Sequence, residues 1–419
     1  MKEIKNIKKY AILARPVAHS KSPELFSQVS PKDSSYSRIH IRTPGEIIYF
    51  TKELSLHGFN VSAPWKESAS QIFGTFLSNV FVKSENIYNS YNTDILAVKY
   101  ILEQHNFDKN ISCLVIGGGG AAFSVISALK MLGFDNITIC NRDEQKAKDL
   151  ADRFWCNSVN FSELNKNIKL TKLVISTLPS NSYKFNSRYF NKDQILFDAN
   201  YNKSELEKIS KEVVCEFISG TEWLKWQANF GFEIFLKKRI RLNNLETEKN
   251  QKKNIILVGF MGSGKTSVGK ILAEQLGREF IDLDNFIENK TNKKIKDIFT
   301  ENGEEYFRKL ESNALKNICK GEGLIIASGG GIIENNKNLK IIKENCFCIY
   351  LYSDVETLWS RVRNSSRPLA RNHKMFKDLF KNRQDKYFLA SDLIILHNDT
   401  KQTVQDLTYE INSANIFER

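Results

Sequence analysis

Several clusters along this 419-residue chain have the residue types and spacing that chemistry needs. Gly259-Phe260-Met261-Gly262-Ser263-Gly264-Lys265-Thr266 has the form of a phosphate cradle. Gly262, Ser263, Gly264 and Ser267 can turn backbone N–H groups onto phosphate oxygens, Lys265 can reach the outer phosphates, and the Thr266 hydroxyl can ligate Mg²⁺. Downstream come the carboxylates Asp282 and Asp284, then Phe307-Arg308, Gly329-Gly330-Gly331, a basic stretch from Arg361 through Arg367-Pro368-Leu369, and Arg383 with Tyr387. Phosphoryl transfer uses such parts, because it needs in-line positioning and cancellation of charge more than covalent help. Upstream, Ser20 and Ser22 could offer two hydroxyls to one anion, while Lys66 and Asp94 supply an ammonium and a carboxylate. Gly117-Gly118-Gly119-Gly120-Ala121-Ala122 has the Gly-x-Gly-x-x-Ala form of a dinucleotide turn.

Each cluster also has a plainer explanation. Ser22 before Pro23 is an ordinary helix start, a lysine after the Pro64 turn is ordinarily solvated, and Asp94 suits the first turn of a helix. The Asp282/Asp284 pair could equally be chance placement at a helix start.

The elements that must position these residues are short. The run Ile255 to Val258 leads into the phosphate loop, and Val268, Ile271, Leu272 and Leu276 are expected on the buried face of the following helix, stopped by Gly277. Leu114-Val115-Ile116 leads into the glycine cluster, and Val125, Ile126 and Leu129 mark the helix after it. Ile95, Val98, Ile101 and Leu102 form the stripe of a helix opened by Asn92-Thr93-Asp94. Strands alternating with amphipathic helices predict parallel α/β sheets throughout. Between Ile240 and Asn254 apolar periodicity disappears in favour of Asn and charge, so a boundary is expected there.

Composition narrows the function classes. An apolar content of 41% suits globular folding, and no run approaches the roughly 20 apolar residues of a membrane span. Tyr10 to Ala14 is too short for a signal peptide, so a cytoplasmic protein is expected. Seven cysteines without paired spacing argue against a disulfide framework, and Cys346 and Cys348 read as buried small hydrophobes. The formal charge of +13 is spread along the chain and mixed with acids, which points to anionic small substrates and away from nucleic acid.

Residues 1 to 243 resemble shikimate dehydrogenase. Ser20-Lys21-Ser22, Asn60-Val61-Ser62-Ala63-Pro64-Trp65-Lys66, Asn92-Thr93-Asp94, the glycine turn, Asn141-Arg142 and finally Gln227-Ala228 with Phe232-Glu233 stand in the family's order. The resemblance implies that Ser20 and Ser22 bind the substrate carboxylate and that Ser62, Asn79 and Gln227 surround the ring hydroxyls. It makes Lys66 and Asp94 the catalytic pair, and assigns NADP(H) to Gly117, Gly119, Gly120 and Ala121 with Asn141 and Arg142. Arg142 suits a 2′-phosphate, whereas Asp143 could cap the next helix or repel that phosphate. Departures are Ala14 for the usual Gly, Ser62 for Thr, Val80 after Asn79, and no Pro-x-Gly-Met after Thr177-Leu178-Pro179.

Residues 254 to 416 resemble shikimate kinase. The resemblance implies that Asp284 contacts the attacking hydroxyl, and that Arg308 and Arg383 clamp the substrate carboxylate beside Gly329, Gly330 and Gly331. Asp282 and Thr266 would organise Mg²⁺, Lys265 and Arg367 would act on the transferring phosphate of ATP, and Arg361 would lie against adenine. The lid reads Arg367-Pro368-Leu369-Ala370 where the family usually has a second Leu.

The expectation is therefore an α/β chain in which a two-lobed dehydrogenase precedes a P-loop kinase domain of parallel α/β type. Its substrate lobe is placed at 1–95 completed by 220–243, its Rossmann NADP lobe at 96–219, a linker at 244–253 and the kinase at 254–416. The chain would reduce 3-dehydroshikimate and then phosphorylate shikimate, as a monomer or homodimer with neither nucleic-acid nor membrane partners and no strong channelling. Two other readings are an active kinase carrying a catalytically degenerate dehydrogenase-like domain, and quinate in place of shikimate for the first half.

Overall fold

A computed structural model describes residues 7–180, 182–201, 204–242, 252–364 and 372–417. Most of the expected linker lies outside the described residues, as does Arg367. Short apolar runs become strands: β1 (Lys8–Ala14), β2 (Ser34–His40), β3 (Gly58–Val61), β4 (Val80–Ser84), β5 (Ile87–Tyr91), β6 (Cys113–Ile116), β7 (Ile137–Cys140) and β8 (Asn157–Val159). They continue with β9 (Leu173–Ser176), β10 (Ile195–Asp198), β11 (Glu216–Ile218), β12 (Asn254–Val258), β13 (Phe280–Asp282), β14 (Ile325–Ala327), β15 (Cys346–Tyr352) and β16 (Leu393–Leu396). Every residue of β6, β9, β10, β12, β14, β15 and β16 is buried, as in parallel sheets covered on both faces. Cys346 and Cys348 are buried in β15.

Two compact units result. One comprises Ser70–Leu245. It holds the antiparallel hairpin β4-β5 and a parallel sheet in the order β11-β10-β9-β6-β7-β8. Strand order reverses at β6, which has β7 on one side and β9 on the other, and open α/β sheets bind ligands at such a reversal.

The other unit joins Met1–Ala69 to Glu246–Arg419. Its parallel strands run β13-β14-β12-β15-β16-β2-β1-β3. The strands of this sheet come from both ends of the chain, before Ala69 and after Lys253. Here β16 pairs in parallel with β2, Leu393 opposite Arg38 and Ile394 opposite Ile39, so one sheet serves both. The pairing covers an edge that each set would otherwise expose.

The helix after the phosphate loop, Lys265–Leu276, corrects one expectation. It buries Val268, Gly269, Leu272 and Ala273, whereas Ile271 is 39% exposed. The helix lies so close to β13 that a Cβ at Gly269 would come 2.6 Å from the Phe280 ring, so only a glycine fits at that position.

Candidate active sites

The phosphate loop follows β12 with glycines where the backbone demands them. Gly259, Gly262 and Gly264 have φ of 153°, 83° and 77°, and a Cβ at Gly264 would come 2.6 Å from His397 Nε2. Lys265 folds back over the loop, donating to the carbonyls of Gly259 (2.9 Å) and Phe260 (3.0 Å). Ser263 is buried and Ser267 exposed, and exposed Arg361 donates to the Gly262 carbonyl at 3.2 Å. Thr266 Oγ1 donates to Asp282 Oδ2 at 2.8 Å, so a hydroxyl and a carboxylate meet beside the loop, a hard oxygen pair suited to Mg²⁺. Positive-φ glycines, a lysine and that oxygen pair fit Mg-ATP.

The two aspartates diverge because a helix starts between them. Asp282 ends β13 and caps the helix Leu283–Thr291, accepting from the amides of Asp284 (3.1 Å) and Asn285 (3.2 Å). Asp284 lies in the first turn of that helix, where its Oδ1 would come 2.8 Å from a Cβ placed on Gly329. The triglycine stretch after β14 is approached by two arginines. Arg308, on the helix Ile295–Ile318, closes on Gly331 so tightly that a Cβ there would lie 2.8 Å from its Cζ. Arg383, buried on the helix His373–Ala390, donates to Glu334 Oε1 at 2.8 Å and to the Gly330 carbonyl at 3.4 Å. The Tyr387 hydroxyl also donates to the Gly330 carbonyl. Asp284, Arg308, Gly329 to Gly331 and Arg383 are thus brought together.

Glu311 was missed. It is fully buried, accepts from Arg308 Nη1 at 2.9 Å and from Asn338 at 3.3 Å, and faces Asp284. Burial pushes its carboxyl up to about 6, against the pull of Arg308. Its position three residues beyond Arg308 on a helix was the available signal.

In the dinucleotide turn, Gly117 has φ of 133° and presses against Thr177, while Gly119 caps the helix Gly120–Met131 without a side-chain partner. A Cβ at Gly119 or Gly120 would meet nothing within 4 Å, leaving the helix N-terminus open to a phosphate. Ala121 follows in the first turn. Asn141 and exposed Arg142 follow β7, and Asp143 is occupied as a cap, accepting from the Lys146 amide at 3.2 Å. These residues fit a dinucleotide.

In the same unit Asn79, Thr93, Asp94 and Gln227 form a polar cluster. Asn79 Nδ2 donates to Asp94 Oδ2 (3.2 Å), Thr93 Oγ1 (3.0 Å) and Gln227 Oε1 (3.5 Å), and Asn79 Oδ1 accepts from the Thr93 amide (2.8 Å). Trp223 Nε1 donates to Asp94 Oδ1 at 3.3 Å, a partner 129 residues away that no local pattern announces. Ser20, Ser22, Ser62 and Lys66 belong to the other unit. Ser20 Oγ and Ser22 Oγ lie 3.2 Å apart, Arg38 Nε donates to the Ser20 carbonyl at 2.8 Å, the Ser62 amide donates to the Leu13 carbonyl at 3.1 Å, and half-buried Lys66 opens the helix Lys66–Ile72.

Residues 261–413 match the family model described as shikimate kinase. A shikimate kinase of Sulfurihydrogenibium sp. is 44% identical over 161 residues, covering 38% of this chain and 95% of the relative. The chain belongs to the shikimate kinase family. Another member, from Macrococcus caseolyticus, is 40% identical over 166 residues, covering 39% of this chain and 96% of the relative. Residues 101–196 match the family model for shikimate/quinate 5-dehydrogenase. The shikimate dehydrogenase of Aquifex aeolicus aligns at TM-score 0.51 and 25% identity, over 56% of this chain and 95% of that one. The N-terminal half therefore carries a shikimate dehydrogenase domain ahead of the kinase domain. No helix among the described residues is long and apolar enough to cross a membrane.

Proposed function

We propose that the chain catalyses NADPH-dependent reduction of 3-dehydroshikimate to shikimate and then Mg-ATP-dependent phosphorylation of shikimate to shikimate 3-phosphate, within the domain limits expected from sequence. The observation that carries the reading is the convergence of Arg308 and Arg383, from different helices, on the triglycine loop above Asp284. When bound, NADPH supplies a hydride and Mg-ATP a phosphoryl group.

In the kinase half, Arg308 and Arg383 hold the substrate carboxylate, for which a guanidinium fork is the matching donor. Asp284 orients the attacking hydroxyl and accepts its proton, Lys265 and Arg367 neutralise charge on the transferring group, and Thr266 with Asp282 holds the metal. Gly262 to Ser267 cradle the phosphates and Arg361 lies against the base. In the dehydrogenase half, Ser20 and Ser22 take the carboxylate while Ser62, Asn79 and Gln227 sort the ring hydroxyls. Lys66 donates a proton to the oxygen that gains negative charge as the ketone is reduced, and Asp94 is the second residue of the catalytic pair. The occupation of Asp143 as a helix cap favours Arg142 as the selector of a 2′-phosphate, hence NADP over NAD.

The test supplies 3-dehydroshikimate, NADPH and Mg-ATP to the full chain and follows shikimate 3-phosphate. Its appearance with matching NADPH oxidation is expected. Phosphorylation of added shikimate without any NADPH oxidation would leave only the kinase. Labelled product should be diluted by added free shikimate, since tethering alone does little for a small diffusing product.

A further inference from the structure

Where β16 meets β2, two carboxylates and a histidine are buried together. The helix Thr400–Ser413, the last of the kinase half, places Asp406 and Glu410 against the N-terminal strands. Glu410 Oε2 accepts from two consecutive amides, Val17 (2.8 Å) and Ala18 (2.7 Å), while its Oε1 lies 2.6 Å from His40 Nδ1. Asp406 accepts from Arg42 Nε (2.6 Å) and Arg15 Nη2 (3.1 Å), and lies 3.6 Å from His40 Nε2. The side chains of His40 and Glu410 are 0% exposed and that of Asp406 1%. Burial alone would drive His40 toward its neutral form, but the bonds and charges of Asp406 and Glu410 outweigh it and raise its pKa.

The loop that Glu410 grips leads straight to Ser20 and Ser22. The Val17 carbonyl accepts from the Ser20 amide at 3.0 Å, and the Ser22 amide donates to Ser20 Oγ at 3.3 Å, so fixing residue 17 fixes the turn that presents both hydroxyls. We propose that Glu410, a residue of the kinase half, is a positioning residue of the dehydrogenase half, setting the loop whose serines receive the substrate carboxylate. The proposal rests on the reading of Ser20 and Ser22 given above. A buried carboxylate is costly unless paired, and this one is satisfied by two backbone donors and a histidine, all three belonging to the first half. Without it two buried N–H groups lose their acceptor at the base of the turn.

The experiment uses the full chain with Glu410→Ala, Glu410→Gln and, as a control, Glu53→Gln. Glu53 accepts from the Tyr352 hydroxyl at 3.0 Å, bridging the same two sets of strands without touching the loop. Shikimate oxidation by NADP⁺ is measured alongside kinase activity and amide hydrogen exchange at Val17 and Ala18. Glu410→Ala should raise the dehydrogenase KM for shikimate about tenfold or more, the size of one charge-assisted bond, with the KM for NADP⁺ and both kinase KM values unchanged. Glu410→Gln should fall between, because its amide oxygen can still accept from the two N–H groups. Amide exchange at residues 17 and 18 should rise in the same order, and Glu53→Gln should match wild type in all of these. If Glu410 only glues the strands together, Glu410→Ala lowers Tm yet leaves the shikimate KM equal to that of Glu53→Gln, and the proposal is overturned. Should Glu410→Ala not fold, Glu410→Gln decides by the same two readouts. Should wild type oxidise no shikimate, the reading of the serines falls, and exchange at residues 17 and 18 alone decides whether Glu410 holds the loop: protection kept in Glu410→Ala overturns it.

Discussion

Adding one methyl group at Gly331 should separate substrate binding from nucleotide binding in the kinase half. Gly331 has φ −104° and ψ 2°, a conformation open to alanine, so the change carries no backbone strain. The new Cβ would lie 2.7 Å from Arg308 Nη1 and 2.8 Å from its Cζ, where ordinary contact needs about 3.5 Å. The guanidinium must therefore retreat by roughly 1 Å, enough to stretch its 2.9 Å bond to Glu311 beyond hydrogen-bond range. Being the end of a flexible side chain it can move, so the fold should survive while the carboxylate clamp does not. A hydrogen bond to a charged group contributes about 1.5–3 kcal/mol, which corresponds to a KM for shikimate raised about tenfold to a hundredfold. The KM for ATP should not change. Gly330→Ala is the internal control, because its Cβ would approach no atom closer than the Met261 amide at 3.5 Å, an ordinary contact. ADP release is followed with shikimate varied at saturating Mg-ATP, and then the reverse. A shikimate KM for Gly331→Ala within twofold of the Gly330→Ala value would refute both the clamp and the steric reasoning.

Other perturbations test the remaining parts. Trp223→Phe removes one of the donors to the buried Asp94 carboxylate and should lower dehydrogenase kcat about tenfold while kinase kcat stays constant, measured on the same preparation. Arg142→Ala should raise the KM for NADPH about tenfold and leave that for NADH nearly unchanged; equal effects on both would reassign the 2′-phosphate contact. Thr266→Ala should raise the Mg²⁺ concentration needed for half-maximal phosphorylation severalfold, since Asp282 then loses its 2.8 Å partner, and an unchanged Mg²⁺ titration would count against the pair. Burial, with Arg361 and Arg42 nearby, pushes His397 down to about 4. Its ordinary value is 6.5, so below that pH the unfolded chain binds a proton that the folded one refuses until about 4. Stability is therefore lost as pH falls through this window, and His397→Gln should show a smaller drop in Tm between pH 7 and 5 than wild type does.

How far the sequence reached depended on the range of the interaction. At Gly259, Gly262 and Gly264 the residue type and the backbone conformation are two statements of the same steric fact, so the loop was legible directly. Asp282 and Asp284 were legible as a pair at a strand end, but their divergence follows from the helix that begins between them. Ile271 was misplaced because periodicity weighs hydrophobicity, whereas the packed face runs through Val268, Gly269, Leu272 and Ala273, with Gly269 set against the Phe280 ring. Glu311 was visible as a helical neighbour of Arg308 but not as the buried carboxylate that Asp284 faces.

By itself the sequence determined each strand, loop and helix that we propose cradles a phosphate, because φ, N–H direction and helix polarity are settled within about ten residues of chain. Only the tertiary structure decided that Trp223 and Asn79 hold Asp94, that β2 pairs with β16, and that Glu410 reaches across to Val17 and Ala18. An apolar strand edge pairs with any complementary edge, and a carboxylate accepts from any donor. The choice among partners hundreds of residues apart was made by which arrangement buried both edges and gave the Asp406 and Glu410 carboxylates their donors.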